Sequence, residues 1–180
     1  DDRGNILEQS QPAPTAYKAK QIIDPRNAFL MTSMMQDVIQ RGTATKARQL
    51  GRSDLAGKTG TTSNHLDAWF GGYQADLVAI AWIGFDTPRS LGNKETGGHA
   101  ALPMWMSYMG KVLKGVPVAA YRPPSGITAA KIHPESGLRA ADGTMIEYFL
   151  QEQLPPEAEE NVEDPFTSVV EDIIGDLLSR

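Results

Sequence analysis

The sequence predicts an α/β chain of the α+β type, an antiparallel sheet flanked by helices. Three observations carry that expectation. Three strand-like runs, Leu55 to Thr62, Ala68 to Tyr73 and Leu77 to Phe85, follow one another with short polar connections, and short connections join antiparallel neighbours. Runs with apolar residues at helical spacing stand before and after them. The chain has 180 residues, 41% of them hydrophobic, enough for one domain with a core and far from a disordered composition.

The elements can be justified in order. Residues 2–5, Asp-Arg-Gly-Asn, followed by Ile6-Leu7, read as a turn with a strand leaving it, and residues 9–16 as loop. Asp24 and Pro25 suit the cap and first position of a helix. Leu30, Met31, Met34, Met35, Val38 and Ile39 give it an apolar stripe that reads as core-facing, and Gly42 ends it. Then come the three strands, predicted to form a meander covered on both faces. Gly71-Gly72 in the second marks a bulge or a close backbone approach. Pro103 opens a second helix to about Leu113, with Met104, Trp105, Tyr108, Met109 and Val112 on its apolar side. Turns and short strands fill Pro123 to Leu150.

Charge divides the chain into residues 1–150 and 151–180. The formal net charge is −5, yet the last thirty residues hold nine acids and one base, leaving the first 150 with thirteen acids and sixteen bases. Within that acidic tail Phe166, Val169, Val170, Ile173, Ile174, Leu177 and Leu178 form a helical apolar stripe. It suits docking on the chain's own body and binding of a partner equally well.

Several chemistries are excluded. There is no cysteine, hence no disulfide, no Cys-ligated metal and no thiol nucleophile. His65, His99 and His133 are scattered without metal-ligand spacing, and neither a metal nor a cofactor is expected. The longest apolar run, Leu77 to Phe85, is nine residues, against about twenty for a membrane span. Dispersed Lys and Arg argue against a nucleic-acid partner. Asp67, at a strand start, reads as pinning a turn rather than as a base. The opening lacks a signal-peptide pattern and an initiator Met, and reads as a fragment.

The chemical centre of the sequence is Leu55-Ala56-Gly57-Lys58-Thr59-Gly60-Thr61-Thr62. A cation, hydroxyls and glycines crowd a strand that would otherwise be apolar. Lys58 and Thr59 point to opposite faces. Gly60 leaves room for a ligand or another backbone, the Lys and Thr groups suit a carboxylate, and strand amides can hold an extended peptide or an oxyanion. A phosphate-binding loop is ruled out: five residues separate Gly51 from Gly57 where that motif has four, and neither its strand nor its helix is in place.

The neighbourhood of Lys58-Thr59-Gly60-Thr61-Thr62 is specific. It continues with Asp67-Ala68-Trp69-Phe70-Gly71-Gly72-Tyr73, the Leu77 to Phe85 strand, and Gly97-Gly98-His99-Ala100-Ala101-Leu102-Pro103-Met104-Trp105. Arg41-Gly42-Thr43 precedes it. This series resembles the C-terminal part of the transpeptidase domain of class A, bifunctional penicillin-binding proteins, from about residue 20 to 115 and more loosely to 155. The resemblance implies a sheet between helices and a serine acyl transfer that crosslinks peptidoglycan stem peptides. It implies that Lys58 joins the proton network, that the Thr61 N–H is an oxyanion donor, and that Thr59, Gly60, Thr61 and Thr62 form the substrate-binding strand. Stem peptide, β-lactams and the missing N-terminal part of the domain are the implied partners. The implied place is the periplasmic side of a membrane to which the parent protein is anchored.

One departure is decisive. No serine in the 180 residues stands three before a lysine, and no Ser-x-Asn occurs, so the nucleophile is absent from this chain. The expectation is a substrate-binding part that is inactive alone. The alternative is a non-catalytic peptide or β-lactam recognition module that has lost the nucleophile.

Overall fold

A computed structural model describes residues 20–158. The turn at 2–5, the loop at 9–16 and the stripe at 166–178 lie outside the described residues. Helix α1 is Pro25–Gln40, capped by the Asp24 side chain, which accepts the Arg26 N–H at 2.8 Å. Strands β1 (Ala56–Thr61), β2 (Ala68–Gln74) and β3 (Leu77–Ile83) form an antiparallel sheet in that order. Helix α2 is Leu102–Val112, entered through a π-helical turn at Gly97–Ala101. A separate antiparallel hairpin, β4 (Ile127–Ile132) and β5 (Met145–Leu150), completes the described order.

The meander forms as expected, but without a bulge. The β1–β2 register runs one to one from Ala56↔Tyr73 to Thr61↔Ala68, through Gly71 and Gly72. The close-approach reading applies at Gly72, where a Cβ would come within 2.7 Å of the Phe70 and Trp105 rings. Phe70 and Trp105 meet edge to face at 4.9 Å in the buried core, with Ala68, Ala81, Leu102 and Met109 around them. Trp105 also donates its indole N–H to the Ala79 carbonyl at 3.1 Å, satisfying the one polar group it takes into the core.

Only one sheet face is covered along its length among the described residues; α1 caps the Ala56–Tyr73 end of the opposite face, where Ala56 is buried and the Tyr73 hydroxyl meets Thr32. That opposite face carries Trp69, Val78, Ile80 and Trp82, with Val78 and Ile80 71% and 69% exposed. Both helices are also rotated from their hydropathy stripes. In α2, Leu102, Trp105 and Met109 are buried, while Met104, Tyr108 and Val112 are exposed. In α1 the buried residues are Phe29, Thr32 and Ile39, while Met31 and Met34 are exposed. The cause is polar: the Thr32 hydroxyl lies 2.9 Å from the Tyr73 hydroxyl and accepts the Tyr121 hydroxyl at 3.1 Å. Phe29 turns the same way, edge-on to Tyr148 at 5.0 Å and stacked on Tyr121 at 5.7 Å. Hydropathy reads Thr32 as polar and so points the helix the wrong way.

Three ion-pair groups tie the pieces together. The β4–β5 hairpin and the turn after it are fastened to α1 and its C-terminal cap by Arg26–Glu152 at 2.7 Å and by Arg41, which pairs with both Asp37 and Glu147. Arg139 holds the following segment through the Pro155 and Pro156 carbonyls and Glu157. Deeper in, Asp54 has 1% of its side chain exposed and pairs with Arg52 at 2.7 Å. It also accepts the Gln74 amide at 3.0 Å and the Ala119 N–H at 2.8 Å. Arg52 donates onward to the Val116 and Pro117 carbonyls. The cluster thus pins the chain leaving α2 to the start of β1.

Burial alone would raise the Asp54 carboxyl; the Arg52 pair, the Ala119 N–H and the Gln74 amide outweigh it and hold the group below its ordinary value. Removing one partner of a buried pair costs about 3–5 kcal/mol, so Asp54→Ala is expected to destabilise the chain by that order in urea denaturation at pH 7. Because the folded value is depressed, Asp54 stabilises the fold above its unfolded value. That contribution fades as pH falls through the lower, folded one. The gap between the variant and the unmodified chain therefore stays full at neutral pH and narrows only below about pH 4.

Candidate functional site

Among the described residues β1 is an edge strand, with β2 as its one strand neighbour. Thr62 donates its N–H to the Asp67 carbonyl at 3.1 Å, toward the β2 side. Backbone groups alternate direction along a strand, so the N–H and C=O groups of Thr61 and Thr59 point away from β2. The Lys58 ammonium confirms the direction by donating to the outward Thr59 carbonyl at 3.1 Å. Lys58 leaves the opposite face from Thr59, yet its flexible stem carries the ammonium around the open edge, where it also reaches the Thr59 hydroxyl at 3.3 Å. The structure therefore brings Lys58, Thr59 and the Thr61 amide to one side of one strand.

Thr59 and Thr61, two residues apart, share a face. Each hydroxyl has a partner outside the strand. Thr61 Oγ1 accepts the Gly97 N–H at 3.0 Å, and Thr59 Oγ1 lies 2.9 Å from Thr43 Oγ1. Lys58, Thr61 and Thr43 are exposed and Thr59 half-buried, so a ligand can reach all four. Gly97 sits directly on the strand: a Cβ there would stand 2.3 Å from the Trp69 carbonyl oxygen and 2.5 Å from that of Gly60. Gly98 is similarly tight, with its Cβ position 2.8 Å from the Thr43 carbonyl oxygen. Gly60 faces Trp69, whose Cβ lies 3.2 Å from where a Gly60 Cβ would be.

Thr62 stands apart from this group. Its hydroxyl accepts the Asp67 N–H at 2.7 Å, while Asp67 Oδ1 accepts the Trp82 indole N–H at 3.0 Å. Asn64 and His65 between them adopt left-handed backbone angles, φ 58° and 54°. Thr62 and Asp67 thus close the β1–β2 connection, which is the turn-pinning role read for Asp67. Chemically, the edge offers outward amides, two hydroxyls and one ammonium to an extended peptide ending in a carboxylate. The contributions of Thr43 and of the Gly97 amide were not legible as chemistry in the sequence. Their only signal was the presence of Gly42-Thr43 and Gly97-Gly98 in the runs quoted above.

Comparison with known proteins places these features in a family. A model of the penicillin binding protein transpeptidase domain matches residues 7–91. Penicillin-binding protein 1A of Pseudomonas aeruginosa is 48% identical over 153 residues, which is 83% of this chain and 18% of that protein. Penicillin-binding protein 1A of Neisseria lactamica is 48% identical over 129 residues, 72% of this chain and 16% of that protein. The crystal structure of penicillin-binding protein 1A from Haemophilus influenzae matches with a TM-score of 0.72 and 33% identity, covering 79% of this chain and 22% of the other. This chain therefore spans about a fifth of the length of these relatives.

The contact at Gly97 gives a direct test of how β1 is held. Gly97→Ala forces two backbones apart, and overpacking of that kind costs about 1–3 kcal/mol. The expected result is a lower melting temperature with faster amide exchange in β1. Gly71→Ala, where nothing lies within 4 Å of the added Cβ, is the control and should leave both unchanged.

Proposed function

The chain belongs, through residues 7–91, to the penicillin-binding protein transpeptidase family, and on that premise we propose that residues 1–150 are the C-terminal, substrate-binding portion of a peptidoglycan D,D-transpeptidase domain. Residues 151–180 are an acidic appendage to it. The observation that carries this reading is the open edge of β1, where outward backbone groups of Thr59 and Thr61, their hydroxyls and the Lys58 ammonium converge.

In this role a stem peptide lies along the edge as an added strand. Thr59 and Thr61 donate to its terminal carboxylate, or to that of a β-lactam. A serine supplied by upstream sequence attacks the penultimate D-alanine carbonyl. The Thr61 N–H stabilises the oxyanion, and loss of one such donor costs about 10²–10³ in rate. The peptide C–N bond breaks, D-alanine leaves with a proton delivered through the network that includes Lys58, and the acyl group stays on the serine. An acceptor amine then forms a new amide, and breaking the ester restores the serine. Gly60 keeps the strand low enough for the ligand to lie against it.

The remainder of the domain packs on the exposed Trp69, Val78, Ile80 and Trp82 face, an apolar surface of the kind that marks an interface. The parent protein acts at the periplasmic face of a membrane, to which other sequence anchors it; no described helix is long and apolar enough to cross one. The parent's glycosyltransferase activity lies outside this chain. A second reading has its own observation: with no Ser-x-x-Lys in these 180 residues, the same edge would serve a non-catalytic peptide or β-lactam recognition module.

A fluorescent penicillin separates them. The 180-residue chain is expected to give no covalent band after denaturation. The full-length gene product that contains it is expected to give a stoichiometric one. A band from the chain alone overturns the assignment of the nucleophile to upstream sequence. Reversible binding by the full-length product without a band favours the recognition module.

Ile80→Asp tests the covered face. In the chain alone a charge at this exposed position should change stability by less than about 0.5 kcal/mol and reduce self-association. In the complete domain the same charge is buried without a partner and should lower stability by several kcal/mol, of order 3. Equal melting shifts in the two settings would show that nothing packs there.

A further inference from the structure

We propose that Thr43 is a positioning residue for the carboxylate-binding strand: it donates its hydroxyl proton to Thr59 Oγ1 and so holds the Thr59 O–H turned toward the ligand. The inference rests on the transpeptidase reading above and deepens it. A hydroxyl has one proton to give and two lone pairs to receive. Thr59 Oγ1 already receives one N–H from the Lys58 ammonium at 3.3 Å. Its other neighbour is Thr43 Oγ1 at 2.9 Å, a contact in which either oxygen can be the donor. If Thr59 donates, its proton is spent inside the protein and it meets an anion with lone pairs. If Thr43 donates, both Thr59 lone pairs are filled and the remaining O–H points to the ligand. A carboxylate accepts only, so it selects the second arrangement.

Thr61 has the same arrangement from a different source. Its Oγ1 accepts the Gly97 N–H at 3.0 Å, and a backbone amide can only donate. The Thr61 proton is therefore left over by necessity, while that of Thr59 is left over only when Thr43 gives its own. Thr43 is well placed to do so. The amides on either side of it are anchored in the end of α1: Gly42 N–H to the Asp37 carbonyl and Ala44 N–H to the Val38 carbonyl, both at 3.0 Å. Gly42 permits that return, since a Cβ there would stand 2.8 Å from Val38 Cα. Gly98 permits the meeting of the two hydroxyls, since a side chain at that position would strike the Thr43 carbonyl. Thr43 is exposed and bears no packing load, so its hydroxyl can be removed without opening a core.

The test uses the full-length gene product with Thr43→Val, which keeps the shape and removes the hydroxyl, and Thr43→Ser, which keeps the hydroxyl. Acylation rates are measured with benzylpenicillin and with its methyl ester, each in competition with a fluorescent penicillin, and folding is checked by thermal melting. Valine leaves the Thr59 O–H its proton but removes the donor that fixes its direction, so the hydrogen bond to the charged group weakens and the acylation rate of Thr43→Val with the free acid is expected to fall about fivefold to tenfold. Thr43→Ser should restore most of that rate, and the ester, which presents no anion, should be slowed by less than about twofold by either variant. The inference is overturned if Thr43→Val slows acid and ester equally, if Thr43→Ser is as slow as Thr43→Val, or if neither variant changes the rate. If the unmodified full-length product is not acylated at all, the transpeptidase reading falls first and the role of Thr43 with it.

Discussion

An edge strand that must keep its outer amides free cannot be secured by a second neighbouring strand. On the proposed function β1 is in that position, and much of the structure around it answers the resulting need for rigidity. Pairing with β2 holds one side. Gly97 presses its backbone onto Gly60 from the Thr59 and Thr61 face. Thr62 and Asp67 lock the far end, with Trp82 bonded to the same carboxylate. At the near end Asp54 gathers Arg52, Gln74 and Ala119 into a buried cluster. Among the described residues, all of these contacts leave the outer edge of Thr59 and Thr61 without a strand partner.

Glycine is used here for proximity rather than for unusual backbone angles. Gly57, Gly60, Gly72, Gly97 and Gly98 each have a neighbour within 3.2 Å of where a Cβ would be, and none of them has a positive φ. A glycine-rich strand would ordinarily be weak, since it packs little and loses more entropy on folding. The compensation comes from what the missing side chains admit: the Phe70 and Trp105 rings above Gly72, and the Gly97 amide beside Thr61. The composition that seemed to work against a strand is thus what fastens it.

The order of elements was legible because each has a local signature. Asp24-Pro25 starts α1, and short polar connections separate the strands. Lys58, Thr59, Gly60 and Thr61 stood out because hydroxyls and a cation are out of place in an apolar run. What could not be read were the facts that depend on a distant partner. Thr32 is buried because of two tyrosines far along the chain, 41 and 89 residues away, and no local periodicity carries that. Of the two readings at Gly71-Gly72, a bulge or a close approach, local sequence could not choose, because the space at Gly72 is taken by the rings of Phe70 and the distant Trp105. Thr43 and the Gly97 amide became visible only when the fold brought them to Thr59 and Thr61. The apolar stripe at 166–178 has a clear pattern and lies outside the described residues.

The two sides of the sheet divide the labour. The inner face carries the Phe70–Trp105 core, and through it α2 and the Gly97–Ala101 turn are placed against β1. The outer face carries Trp69, Val78, Ile80 and Trp82 in the open. The contacts found to orient Thr59 and Thr61 come from Lys58 on β1 itself, from α1 and its following turn, from β2 and from the turn before α2. None requires the outer face to be covered. The hydroxyls and amides of the edge are therefore set by residues of this chain, independently of whatever packs on Ile80. On the proposed function, a nucleophile from elsewhere in the domain would meet a strand whose donors are already set. The lost conformational freedom of that strand is charged to folding rather than to each binding event, which is the condition under which weak neutral donors hold an anionic ligand effectively.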